Sequence, residues 1–171
     1  FHADHIMMAA KSGKEIFCEK PMDLSLDTVS KVIKTIDEAD INLFLAFNRR
    51  FDPNFKRVKE IVSNGNIGEI QIIKITSRDP SPPPISYIKT SGGLFLDMSI
   101  HDFDMARFIS GKEIVEVDAK GVVFNDVEIE KNGDIDTAVI TLTLENNAMV
   151  VIDNSRKAAY GYDQRIEVFG S

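Results

Sequence analysis

Two short apolar runs, one helix-length apart, constrain the fold of this chain more than any other feature. Glu15-Ile-Phe-Cys18 and Leu43-Phe-Leu-Ala-Phe47 are too short for buried helices and too apolar for exposed loops, so each reads as a buried strand. Between them, Ser25 suits an N-cap, and Leu26, Val29, Val32, Ile33, Ile36 and Ala39 recur at helical spacing. Ala3 to Ser12 is helical in composition, and Gly13 is a natural stop. Helix, strand, helix, strand at this spacing predicts parallel strands joined by a crossover helix. Residues 1–47 therefore read as the last part of a doubly wound α/β domain whose earlier part is absent.

From Asn48 the rhythm changes. Asp52-Pro53 starts a helix with Phe55, Val58, Ile61 and Val62 facing inward, and Asn64-Gly65-Asn66-Ile67-Gly68 ends it. Ile70 to Arg78 is a long β-branched strand. Asp79-Pro-Ser-Pro-Pro-Pro84 is a rigid loop. After a helical stretch closed by Gly111, strands are expected at Ile114 to Phe124, Asp136 to Leu144, Ala148 to Ser155 and Arg165 to Phe169. Ala138, Ile140, Leu142 and Leu144 alternate, as one buried face requires. Residues 48–171 are thus α+β: a large, mostly antiparallel sheet with helices on one face. Residue 1 is Phe, a helix begins almost at once, and the last residues read as a strand entering a turn. The expectation is a fragment of a longer protein, with this second domain incomplete at its C-terminus and any targeting signal outside these residues.

Charge and composition exclude several partner classes. Twenty Lys and Arg against 27 Asp and Glu leave a net charge of −7, the wrong sign for a phosphate backbone, so no nucleic-acid partner is expected. Asn48-Arg49-Arg50 is the densest basic run, and it is short. A single cysteine, Cys18, forbids an intrachain disulfide and suits a reducing, cytoplasmic compartment. No apolar run reaches membrane-spanning length.

The chemistry-bearing stretch is Ser91-Gly-Gly-Leu-Phe-Leu-Asp97-Met-Ser-Ile-His101-Asp-Phe-Asp-Met-Ala-Arg-Phe-Ile109. Ile100, Phe103, Met105, Phe108 and Ile109 can form its apolar stripe. Asp97 and His101 are four apart, so a helix sets a carboxylate and an imidazole on one face. The plainer reading is an amphipathic helix with Asp at its positive end and a solvated His. Lys20 follows a buried strand, where open α/β sheets place ligands; the plainer reading is a surface lysine. Pro21 fixes the backbone after it, and the Lys20–Pro21 bond is a candidate for cis. Glu19 is a structural charge when taken alone. Arg49 and Arg50 suit a substrate or cofactor oxygen, a surface pair or an interdomain salt bridge equally well. His2, His5, Asp97 and His101 are metal-ligand types, but no Cys/His cluster or H-E-x-x-H pattern accompanies them, so no metal is expected. Met7 and Met8 read as helix packing, Cys18 as buried rather than reactive, and Asp126 to Asp136 as a solvated loop.

Several of these motifs carry a resemblance. Gly13-Lys-Glu-Ile-Phe-Cys-Glu19-Lys20-Pro21 resembles the Glu-Lys-Pro signature of the Gfo/Idh/MocA oxidoreductases. His2-Ala-Asp-His5, Phe47-Asn-Arg-Arg-Phe-Asp-Pro53 and Gly92-Gly-x-x-x-Asp97-x-x-x-His101-Asp are similar to that family at fitting separations. The run from Ser77 to Phe108 looks most like its inositol 2-dehydrogenase branch.

The resemblance implies a Rossmann-type N-terminal domain, ending within residues 1–47, and a substrate and oligomerisation domain over 48–171. It implies NAD as cofactor, with NADP not excluded, and a hydride taken from a cyclic polyol, myo-inositol becoming 2-keto-myo-inositol. Lys20 matches the signature lysine that meets both substrate and nicotinamide, with Glu19 and Pro21 beside it on the cofactor side. Asp97 matches the aspartate that holds substrate hydroxyls, and His101 the general base. It also implies a homodimer or homotetramer built through the C-terminal sheet. The chain departs from the family in lacking a G-x-G-x-x-G anywhere, so the pyrophosphate site lies outside it and the piece alone is expected to be inactive. Two alternatives remain at this stage: a dehydrogenase of another sugar or sugar acid, or a non-catalytic sugar- or cofactor-binding sensor or scaffold.

Overall fold

The computed structural model of the protein describes residues 2–171, which fall into two compact units, 2–48 and 49–171. In the first, helix α1 (His2–Lys11) precedes strand β1 (Ile16–Glu19), and helix α2 (Leu26–Ala39) precedes strand β2 (Leu43–Ala46). The two strands pair in parallel, with Ile16 opposite Leu43 and Glu19 opposite Ala46. Ser25 caps α2 by accepting from the Thr28 amide at 3.4 Å, and Asp40 ends it in the left-handed conformation. Ala3, Ile6 and Ala10 of α1 pack with Val32 and Ile36 of α2, and with Ile16, Cys18 and Leu43 beneath them. The expected α/β order is therefore present, and both chain and hydrogen bonds leave β1 at the Glu19-Lys20-Pro21 turn.

The second unit begins with a 3-10 turn and helix α3 (Pro53–Ser63), capped by the Asp52 carboxylate, which accepts from the Asn54 amide at 2.8 Å. Strand β3 (Ile70–Arg78) leads to the proline loop and a short helix, α4 (Ile85–Ser91). A π-helical segment, Phe95–Ser99, runs directly into helix α5 (Ile100–Ser110). Then come β4 (Ile114–Val122), α6 (Val127–Lys131), β5 (Thr137–Leu144), β6 (Met149–Ser155) and β7 (Asp163–Gly170). The sheet order is β4-β5-β6-β3-β7; only β3 and β6 pair in parallel. The parallel pairing of β3 with β6, reached only after β4 and β5, is what makes the sheet mixed.

One face of this sheet is the core. Ile73 and Ile75 of β3, Ile140, Leu142 and Leu144 of β5 and Val150 and Ile152 of β6 bury against Met105, Ala106 and Ile109 of α5. Phe55, Val58 and Val62 of α3 pack on the same cluster. The other face leaves Val139, Met149 and Val151 exposed.

Two sequence expectations need correction. Residues 126–136 are not a solvated loop: α6 lies there, with Ile129 and Asp136 fully buried. Asp136 accounts for this, because its carboxylate accepts from the amides of Phe124 at 3.1 Å and Asn125 at 2.7 Å and so satisfies a turn that would otherwise need water. The 91–109 stretch is not one regular α-helix either. Its first part is π-helical, with Leu94, Met98 and Ser99 buried, and the wider turn resets which residues face inward.

Candidate functional site

In the first unit the turn after β1 carries Lys20 at the carboxyl edge of the parallel pair, the edge at which open α/β sheets bind ligands. Lys20 is half-buried and its bond to Pro21 is cis. The turn is tied to α1, where the ring Nδ1–H of His2 donates to the Pro21 carbonyl at 2.8 Å. Cys18, just before it, has its thiol pushed up by burial and by the neighbouring Glu19 charge, which keeps it a thiol.

In the second unit Asp97 and His101 lie on one continuous helical run, Asp97 in the π segment and His101 in the first turn of α5. His101 is half-buried rather than solvated. The Asp97 side chain keeps 14% of its surface, and each of its oxygens has a donor. Tyr87 of α4 donates its hydroxyl to Oδ1 at 2.7 Å. Arg156, just past β6, donates from Nη1 to Oδ2 at 3.2 Å. Bonding to a carboxylate holds the Tyr87 proton, so its phenol is pushed up to about 12, with burial and the Asp97 charge adding to the effect.

Arg156 is buried to 1% exposure and also reaches Asp134 through Nη2 at 3.5 Å. Asp134 in turn accepts from the Leu94 amide at 2.9 Å, where the Ser91-Gly-Gly turn enters the helix. Gly93 has φ +82°, and a Cβ there would meet Asp134 Oδ1 at 2.8 Å. That turn therefore requires glycine twice over. Asp79, at the end of β3, has its carboxyl raised, mainly by burial; the Asp97 and Asp102 charges add to this while Arg156 and Arg49 oppose it.

Behind this helix lies a buried polar network. Asp102 is fully buried, and its Oδ1 accepts from Arg49 Nη1 at 2.5 Å and from Ser77 Oγ at 2.6 Å. Its Oδ2 accepts from Asn154 Nδ2 at 2.8 Å, and Asn154 Oδ1 accepts from Ser99 at 2.5 Å. Arg50 pairs with Asp104, also buried, through Nη2 at 2.5 Å. Arg49 and Arg50 thus hold α5 through buried carboxylates within the second unit.

The structure places Asp97 and His101 together on one helical run, while Glu19, Lys20 and Pro21 belong to the other unit. Tyr87, Arg156 and Asp134 had no sequence signal. Arg156 ends an alternating strand without a motif, and Tyr87 follows a proline loop whose outcome periodicity does not predict. Among the described residues no group of three or more His, Cys, Asp or Glu side chains is placed to hold a metal ion, and no helix is long and apolar enough to cross a membrane.

With this geometry in hand, comparison with known proteins is decisive. Residues 55–171 match the model of the GFO/IDH/MocA C-terminal domain, and residues 1–47 match that of an oxidoreductase family with an NAD-binding Rossmann fold. The chain belongs to the GFO/IDH/MocA oxidoreductase family. It is 58% identical over 170 residues to a myo-inositol 2-dehydrogenase of Thermotoga maritima, covering 99% of this chain and 51% of that protein. The crystal structure of a probable dehydrogenase from Thermotoga maritima superimposes with a TM-score of 0.97 at 58% identity, over 99% of this chain and 52% of the other. A scyllo-inositol dehydrogenase of Lactobacillus casei, solved with NAD(H) and scyllo-inositol bound, gives a TM-score of 0.88 at 36% identity, over 100% of this chain and 52% of the other. The chain spans about half the length of the GFO/IDH/MocA relatives it matches. The small parallel sheet and the mixed five-stranded sheet described above match the fold of these structures.

Proposed function

We propose that the complete protein oxidises a ring hydroxyl of a cyclic polyol, taking myo-inositol to 2-keto-myo-inositol with NAD as the hydride acceptor. The observation that carries this reading is the pairing of Asp97 and His101 on one helical run, with the Asp97 carboxylate gripped at both oxygens by Tyr87 and Arg156. A carboxylate so held accepts hydrogen bonds from substrate hydroxyls. His101 acts as general base in oxidation and general acid in reduction, the task for which an imidazole near neutral pH is suited. Lys20 meets the forming alkoxide and the nicotinamide side of the cofactor, stabilising negative charge as it develops. Glu19 and Pro21 shape the turn that presents Lys20.

The cofactor supplies the hydride acceptor when bound. The carboxyl end of β1, with half-buried Lys20 on a turn tied by His2, suits the nicotinamide end of such a group. Residues 1–47 then belong to the cofactor domain and 48–171 to the substrate and oligomerisation domain. Asp97 and Asp134 set two carboxylates on the single guanidinium of Arg156, and this acidity favours a neutral polyol over a sugar acid. The exposed apolar face bearing Val139, Met149 and Val151 suits burial against a second copy, so the protein is a homodimer or homotetramer. The lone thiol of these 171 residues suits a reducing, cytoplasmic compartment.

The test is to follow NADH and NADPH formation by the complete protein with myo-inositol, glucose and a panel of sugar acids, comparing wild type with Lys20→Ala and His101→Ala. Turnover of myo-inositol with NAD, lost in both variants, is expected. Turnover only of another polyol moves the substrate and keeps the reaction. A folded, cofactor-binding protein that oxidises no polyol is a sensor or scaffold instead.

A further inference from the structure

We propose that Arg156 is a positioning residue for the Asp97 carboxylate, acting with Tyr87 to fix its plane so that it accepts two neighbouring hydroxyls of the substrate; this rests on the reading of Asp97 given above. A buried guanidinium is expensive to desolvate and persists only where its partners are well placed. Arg156 has two, Asp97 at 3.2 Å and Asp134 at 3.5 Å.

Its backbone is anchored as firmly. The Arg156 amide donates to the Asp136 carbonyl at 2.7 Å. On either side, the Asp79 amide donates to the Ser155 carbonyl at 2.9 Å and the Ala158 amide to the Asp79 carbonyl at 2.7 Å. The guanidinium is therefore presented from a loop stitched to two strands.

Asp97 needs that support. The π segment on which it lies is a wide turn, and a lone carboxylate there rotates about its last torsion. One donor on each oxygen, Tyr87 at Oδ1 and Arg156 at Oδ2, stops that rotation. An ionised carboxylate has about four acceptor sites. The Tyr87 and Arg156 bonds thus hold these sites in one fixed plane, as gripping a vicinal diol requires. Asp134 completes the device by joining the guanidinium to the Leu94 amide at the start of the same helical run.

The experiment uses the complete protein with NAD and myo-inositol, comparing wild type with Arg156→Met, Arg156→Lys and Tyr87→Phe. Losing one hydrogen bond to a charged group is worth about 1.5–3 kcal/mol, so Arg156→Met is expected to raise the KM for myo-inositol by roughly tenfold or more. The KM for NAD stays near that of wild type. Arg156→Lys, which keeps the charge and one donor, recovers part of the loss. Tyr87→Phe raises the same KM by a smaller factor, with kcat changed far less than KM. Tyr87 is half-exposed, so this variant decides the matter if Arg156→Met does not fold. An unchanged KM for myo-inositol in folded variants overturns the proposal, as does a loss confined to kcat or shared equally by NAD. Wild type without any polyol oxidation overturns the functional reading and the inference with it; an active wild type with unmoved variants overturns the inference alone.

Discussion

Asn154 donates to the buried carboxylate of Asp102 at 2.8 Å, tying the central strand β6 to helix α5 one residue beyond His101. The same carboxylate holds Arg49 and Ser77, so three separate stretches of chain converge on one side chain. The position of His101 is thereby set from behind, by polar contacts rather than by the apolar stripe alone.

Asp102→Ala leaves Arg49 facing a buried void and removes an acceptor from Ser77 and Asn154. Breaking a buried pair from one side costs about 3–5 kcal/mol. The unfolding free energy of the second unit is expected to fall by that amount, read as a lower urea midpoint with the slope unchanged.

Gly93→Ala places a methyl group against Asp134 at a backbone conformation with φ +82°. Strain of this kind costs about 1–3 kcal/mol. The same urea measurement reads it, and Gly133→Ala, at a positive φ with open space around it, is expected to lose less.

Asp136 gives a pH dependence with a definite sign. Burial pushes its carboxyl up, but the amides of Phe124 and Asn125 and the Thr137 hydroxyl outweigh this and hold it below the usual range. The folded value is the lower one, so the stabilisation is complete above the unfolded value of about 3.9 and is lost as pH falls through the folded value. Wild type is therefore expected to lose stability more steeply below about pH 4 than Asp136→Asn does. Unfolding midpoints measured across that range check it; parallel curves contradict it.

Tyr87 supplies the alkaline counterpart. Its phenol is pushed up to about 12, first by donation to Asp97. The folded value exceeds the unfolded value of about 10, so the bond stabilises fully below the unfolded value and is lost as pH rises through the folded one. The ultraviolet phenolate titration of wild type minus that of Tyr87→Phe is expected to show one group with its midpoint near 12.

Local signals carried much of the fold. The α2 cap at Ser25, the Asp52-Pro53 start of α3, the exact span of β3 and the alternation of β5 were all legible, because caps, prolines and period-two patterns act within a few residues. The π segment was not legible, since one extra residue in a turn leaves helical periodicity almost intact. The buried aspartates 102, 104 and 136 were hidden for a related reason: acidic residues signal solvent until partners as far as 12 to 54 residues away are brought to them. Lys20, Asp97 and His101 were singled out by motif. The grip on Asp97 came only from the fold, because Tyr87 and Arg156 lie 10 and 59 residues from it and share no spacing with it.

The most direct measurement of the central claim follows the hydride itself. The complete protein is supplied with NAD and myo-inositol carrying deuterium at the carbon to be oxidised, and the nicotinamide product is examined for the label. The account requires deuterium on the reduced nicotinamide ring, the inosose as co-product, and loss of both with His101→Ala. Unlabelled NADH, or a labelled inositol recovered intact from a cofactor-loaded protein, contradicts it.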